Sequence, residues 1–286
     1  MQRNAPDLPE YEVYALRYAT MQRRGPENFI LGGDEHDGVV NMDFFVWVIR
    51  NGDQVILVDT GFGERGSRAR GRPLECCPID ALRQLDIAPD QIRDVILTHL
   101  HWDHAGNLDK LPNATFHLQD AEAAFATGRC MCEPMLRRAF AVEDVCDFVR
   151  RVYDDRVVFH EGDDTFAPGI ELLLIGGHTR GLQAVRVHTA RGWVILASDA
   201  AHYYDNVTRR LPFPVVVDVA AMLAGHTRLM KLADSPDHFV PGHDPQVLER
   251  YPRVPGTQAA IAVLHEAPKT AAFEASACET PACKTA

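Results

Sequence analysis

Two apolar runs rich in β-branched residues, 44–50 (FFVWVIR) and 54–59 (QVILVD), flank Asn51-Gly52-Asp53. A short polar break containing glycine between two such runs predicts a β-hairpin. Further along, 94–98 and 114–118 read as short buried strands, and 156–160, 170–175, 183–189, 193–198 and 238–240 as later ones. Helical spacing marks 80–85, 119–152 (Ala, Leu, Phe and Met on one side) and 219–232. Residues 62–77 are rich in Gly and Arg and predict a loop. Residues 1–10 predict a loose arm, and 266–286, which carry no period, a flexible tail.

Strands come first as hairpins and later mix with helices. There is no strict βαβ alternation, so a doubly wound sheet is disfavoured. The pattern predicts an α+β chain with two sheets and helices on their outer faces. With 286 residues, of which 46% are hydrophobic, one large domain over 11–265 is expected, carrying a helical insertion near 119–152.

Charge and cysteine usage narrow the partners. Lys and Arg total 29 against 40 Asp and Glu, a net charge of −11, and a surface that tracks phosphates needs the opposite sign. Nucleic acid is therefore not an expected partner. The seven cysteines are an odd number with no even framework, and the charged start lacks the apolar centre of a signal peptide. Reduced thiols and a cytoplasmic location are expected. No apolar run approaches a membrane span. Cys278 and Cys283 form a C-x4-C pair without nearby His or Cys, and Cys130-Met131-Cys132 sits in the insertion; both read as ordinary thiols.

The candidate chemistry lies in the thirteen histidines. Thr98-His99-Leu100-His101-Trp102-Asp103-His104 places three His and one Asp directly after a predicted strand. Imidazole and carboxylate are donors that zinc and similar ions take. On an extended segment His99 and His101 project to one side, while Asp103 and His104 can face a neighbouring point. That arrangement suits two adjacent ions. Further donors follow other predicted strands, in Gly176-Gly177-His178-Thr179, Ser198-Asp199-Ala200 and Pro241-Gly242-His243-Asp244.

This set resembles the metallo-β-lactamase superfamily, whose mark is His-x-His-x-Asp-His after a strand. The likeness covers roughly residues 40–250. It implies an αβ/βα sandwich of four layers with the metals at one edge of the sheets. It further implies that His99, His101 and His178 hold one divalent ion, that Asp103, His104 and His243 hold a second, and that Asp199 bridges them. Zinc is the default, with iron, manganese or cobalt as alternatives. Asp59, in Val58-Asp59-Thr60-Gly61, matches an early family motif and is expected to orient a ligand; a plain turn carboxylate is the alternative.

Within the superfamily, flavin-linked diiron members carry Glu where this chain has His101, nuclease branches need a basic surface, and glyoxalase II-like thioesterases end in a helical region with basic residues. The sequence most resembles the quorum-quenching N-acyl homoserine lactonases. The resemblance implies opening of a lactone ring by a hydroxide shared between two cations, with Asp103 moving the proton. Other esters, amides or thioesters are the alternative substrates, and a non-catalytic metal-binding scaffold is the reading from another class. Lactonases of this group carry Tyr three residues after the bridging Asp; here His202 stands there, followed by Tyr203 and Tyr204. His202 or Tyr203 is expected to polarise the substrate carbonyl. Met42, Phe44, Phe45, Met131, Met135, Phe140 and Phe148 are either an apolar trough for the substrate or ordinary core. The insertion is the candidate lid or homodimer contact, and His36 lies in a polar loop that could cross the pocket.

Overall fold

The computed structural model describes residues 8–271 and Phe273. Most of the expected arm and tail, with Cys278 and Cys283, lies outside the described residues. Strands β1 (Glu12–Arg24), β2 (Val39–Asn51), β3 (Gln54–Val58), β4 (Asp94–Ile96), β5 (Thr115–Gln119) and β6 (Val157–His160) lie side by side in that order. The first three are antiparallel, and β3 to β6 run parallel. A second sheet has the order β11-β10-β9-β8-β7, formed by β7 (Asp164–Ala167), β8 (Ile170–Leu174), β9 (Gln183–Thr189), β10 (Gly192–Ser198) and β11 (Phe239–Pro241). The last strand, β12 (Ile261–Val263), returns to pair with β1.

Helices α1 (Glu64–Arg70), α2 (Pro78–Ala81), α3 (Asp120–Thr127), α4 (Pro134–Arg137) and α5 (Val142–Tyr153) belong to the first half of the chain. Helices α6 (Tyr204–Thr208), α7 (Val219–Leu232) and α8 (Gln246–Arg250) belong to the second. The expected α+β sandwich is what forms. Along β2, Phe45, Trp47 and Ile49 pack with Leu172 and Val185 of the second sheet. The alternate residues Phe44, Val46 and Val48 pack on the other side with Ile79 and Phe148 of the helices. Burial on both faces explains why β2 reads as a continuous apolar run.

The predicted hairpin is present: Asn51 pairs with Gln54, and Gly52 turns the chain at φ 56°. Other elements differ from the pattern. The long strand β1 gives no clean alternation because its register slips between Arg17 and Ala19, which puts Tyr18 out of phase. The expected loop at 62–77 contains α1, a helix with no buried residue, stopped by Gly71 in the left-handed region. A helix without an apolar stripe leaves no period to detect. The insertion is not one helix: Gly128 and Pro134 divide it into α3, a 3-10 turn at Arg129–Cys132, α4 and α5. Among the described residues no helix is long and apolar enough to cross a membrane.

Candidate metal centre

The turns after β3, β4, β8, β10 and β11 converge. At the end of β3, Asp59 takes three hydrogen bonds. Its Oδ1 accepts from the Thr98 backbone N–H at 2.7 Å, and its Oδ2 from Thr98 Oγ1 at 2.8 Å and His104 Nδ1 at 2.7 Å. Thr98 Oγ1 also meets Ser198 Oγ at 2.9 Å. Asp59 (φ 59°) and Ser198 (φ 47°) both adopt left-handed backbone. Such conformations cost about 1–3 kcal/mol each and persist where the surroundings over-determine them, as at functional sites. The bond to Asp59 occupies His104 Nδ1 and fixes the ring, so that Nε2 is the nitrogen turned inward.

Asp199, just past β10, is the hub. Its Oδ1 lies 3.2 Å from His104 Nε2 and 3.0 Å from His243 Nε2. Its Oδ2 lies 3.1 Å from His178 Nε2, 3.1 Å from His202 Nε2 and 3.8 Å from His99 Nε2. His101 Nδ1 stands 2.8 Å from His178 Nε2. Asp103 Oδ2 lies 3.9 Å from His104 Nε2 and 4.0 Å from His243 Nε2. Three overlapping donor groups result, His99/His101/His178/Asp199, Asp103/His104/His243 and Asp199/His202/His243, each with ligand atoms within 4.8 Å of one another. All eight side chains are buried, Asp103 being the most open at 8% exposure.

The chemistry of this cluster fits cations. Among the described residues, His99 Nε2, His104 Nε2, His178 Nδ1 and His202 Nδ1 are buried without a hydrogen-bond partner. An unsatisfied buried polar atom costs about 1–3 kcal/mol, and a bound ion supplies what the inward-turned Nε2 atoms lack. Burial, reinforced by neighbouring imidazoles, holds His99 and His101 well below the usual histidine range. Both are therefore neutral, the form that ligates. Burial opposes ionisation of Asp199, but His202, His104, His243 and His178 outweigh it and hold the carboxyl well below its usual range. For His104 burial is likewise overcome, by Asp199 and Asp59, and its pKa is raised. Buried carboxylates among imidazoles thus draw positive charge to this point.

Residues with no motif around them hold the donors in place. Glu122, in the first turn of α3, is fully buried; its Oε1 accepts from the Leu100 N–H at 3.0 Å and its Oε2 from the Gly181 N–H at 3.1 Å. One carboxylate therefore ties the 99–104 turn to the His178 turn. Tyr18 OH donates to Asp103 O at 2.8 Å, and His243 Nδ1 donates to Asp43 O at 2.8 Å. Gly177, at φ 82°, lies so close to α7 that a Cβ would stand 2.7 Å from Met222 N. Only the Gly-Gly before His178 pointed to any of these contacts. Glu122 looked like an ordinary acidic residue opening a helix.

A cleft of about 150 Å³ opens beside Asp103 and Asp199. Of the residues expected to line a trough, Met42 and Phe44 line it. Phe45 faces the inter-sheet core and Phe148 the helix side of the first sheet, because neighbouring strand residues point oppositely and α5 turns Phe148 inward. Met131 and Phe140 border a separate groove on the insertion, although the Phe140 ring also meets His101 edge-on at 4.6 Å. Met135 is 71% exposed. His36 is a surface residue bonded to Asp34 and lies away from the cleft.

His202 does enter the cluster, stacked on Phe213 with ring centroids 3.7 Å apart. Tyr203 does not. The backbone turns into α6 there, and its hydroxyl points to Asn41 O at 3.5 Å, in a separate cleft bordered by Asp37 and Asp244. Tyr204 is buried with Arg250 above its ring.

The sequence pattern of the metallo-β-lactamase superfamily matches residues 45–243, which hold all three donor groups. The chain belongs to the metallo-β-lactamase superfamily. It is a metal-dependent hydrolase of that superfamily and resembles several of its members. It is 27% identical over 234 residues to a protein of Mycobacterium tuberculosis named a probable metallo-hydrolase, covering 71% of this chain and 72% of that one. It is 28% identical over 190 residues to the N-acyl homoserine lactonase of Bacillus cereus, covering 61% of this chain and 70% of that one. Its fold matches a solved N-acyl homoserine lactone hydrolase with the product N-hexanoyl-L-homoserine at its catalytic metal centre. The TM-score is 0.66 at 22% identity, covering 82% of this chain and 94% of that one.

Proposed function

We propose that this chain opens the ring of N-acyl homoserine lactones or related lactones at a centre of two divalent ions. Zinc is the default occupant, and the same donors accept iron, manganese or cobalt. One observation carries the reading: Asp199 turns one oxygen to His104 and His243 and the other to His99, His178 and His202. A carboxylate with two such faces suits a bridge between two ions. His99, His101 and His178 would hold one ion, and Asp103, His104 and His243 the other. The relatives named as lactonases support the substrate class.

When bound, the ions supply a water activated at neutral pH and a polarised ester carbonyl. The chain's own groups do the rest. Asp103 borders the cleft. Its carboxylate accepts the proton that the attacking water gives up and returns it to the ring oxygen as the ester bond breaks. Asp59 and the Asp43 carbonyl hold His104 and His243 in one tautomer and orientation. His202 takes a role different from the expected one. A neutral imidazole has a single N–H, and with Nε2 at 3.1 Å from Asp199 Oδ2 that proton holds the carboxylate, leaving none for a substrate oxyanion. Tyr203, directed elsewhere, takes no part.

A substrate panel tests this reading. Metal-loaded protein is assayed with acyl homoserine lactones of several chain lengths, a simple γ-lactone, an aryl ester, a thioester and a β-lactam. Lactone opening is expected, and Asp103→Asn is expected to lower kcat by about 10²-fold or more. Turnover confined to the thioester moves the chain to the glyoxalase II-like reading. No turnover of any lactone overturns the proposal.

A further inference from the structure

Three guanidinium groups border the cleft that holds Asp103 and Asp199: Arg23, Arg70 and Arg72. The chain as a whole is acidic, at −11. None of the three forms an ion pair with a carboxylate among the described residues. Arg23 donates to Asn28 Oδ1 at 2.9 Å and Glu27 O at 3.1 Å, with its guanidinium over Phe213. Arg70 donates to Phe140 O at 3.0 Å and lies 4.9 Å over the Trp102 ring. Arg72 differs from both. Its backbone is pinned, its N–H on Ser67 O at 3.0 Å and its carbonyl under Ser67 Oγ at 2.6 Å. Its guanidinium has no hydrogen-bond or ion-pair partner among the described residues.

Asp103 and Asp144 favour the charged form of Arg70 through space, but neither forms an ion pair with it, and Arg72 is left without a partner among the described residues. Asp199 is surrounded by imidazoles, and among the described residues no arginine comes within ion-pair distance of Asp103 or Asp199. With divalent ions in the donor groups, three further positive charges at the same opening repel them. An occupant of the cleft that brings negative charge of its own relieves this repulsion and gives Arg72 a partner. A guanidinium fork matches a carboxylate through paired, charge-assisted hydrogen bonds. Met21, Met42, Phe213 and Val215 supply an apolar wall for the body of such a molecule.

We propose that Arg72, assisted by Arg70, binds a carboxylate on the substrate, so that the cyclic ester opened here carries an acid group besides its ring. This rests on the lactone reading above. It separates the natural substrate from lactones with a purely neutral acyl chain.

The test uses ring-opened products, held as carboxylates above neutral pH so that they do not re-close. Metal-loaded protein is titrated calorimetrically with the hydroxy acid from a carboxylated γ-lactone, and with the same compound methylated at the distal acid. The charged form is expected to bind roughly tenfold to a hundredfold more tightly. In Arg72→Ala the ratio of the two affinities is expected to fall to near one. Arg72 is half-buried without a partner, so its removal strands no group, and an unchanged Tm checks the fold. Equal affinities in the parent protein, no measurable binding of the charged form, or a ratio that survives in Arg72→Ala overturns the proposal. Turnover of the parent lactones is measured in parallel. Arg72-dependent binding without ring opening removes the lactone reading and leaves the acid pocket. Ring opening without Arg72-dependent binding removes the pocket and leaves the lactone reading.

Discussion

His104 shows how far a single residue could be read in advance. Its place in the His-x-His-x-Asp-His run marked it as a donor, and Val58-Asp59-Thr60 marked the partner that takes its Nδ1 proton. Contiguous motifs are legible because the donors and the turn that aims them lie in one short segment. Glu122 and Tyr18 were not legible, because each acts from a remote element through a backbone group of the motif. Glu122→Gln is the sharper test of that kind of residue. Glutamine offers one acceptor where the carboxylate offers two, so either the Leu100 or the Gly181 N–H loses its partner. Metal affinity, read by competition with a chelator, is expected to fall roughly 10–100-fold, with a lower Tm. Unchanged metal affinity would show that Glu122 only fills space.

Elements were legible where one signal dominated and obscure where two competed. The β2–β3 hairpin announced itself through Gly52, whereas the bulge at Tyr18 hid β1 and the solvated face of α1 hid a helix. The turn between β8 and β9 carries a prediction of its own. Gly177→Ala puts a methyl against the α7 backbone at a position with φ 82°. A loss of at least about 1–3 kcal/mol is expected from the strain alone, read as a lower urea midpoint together with weaker metal binding through His178. Gly38→Ala, where a Cβ meets nothing within 4 Å, is the control and should leave the midpoint nearly unchanged. Helix α7 also carries a pH dependence. Burial pulls the pKa of His226 from 6.5 down to about 4, and its Nε2 donates to Ala200 O at 2.5 Å. Between those two pH values the unfolded chain binds a proton that the folded one refuses, so stability falls as pH falls, by about 1.4 kcal/mol per unit. His226→Gln should flatten the fall of the urea midpoint from pH 6.5 to 4 relative to the parent protein; parallel curves would contradict this.

The whole molecule is an acidic sandwich that gathers six of its thirteen histidines at one edge and leaves three arginines beside them. Fold class and the His and Asp residues that cluster here were readable because spaced strands and a dense motif survive in one sequence. The arginines were not, since Arg70 and Arg72 sit in a Gly- and Arg-rich stretch that reads as a loop and Arg23 in a strand whose bulge concealed it. The proposed ring opening depends on two ions sharing Asp199. Elemental analysis of the dialysed protein measures this directly. About two divalent ions per chain are expected, falling to about one in His243→Ala, which leaves the His99/His101/His178/Asp199 group intact. A parent protein that holds one ion or none, or a His243→Ala variant that keeps the parent's full content, would contradict the account.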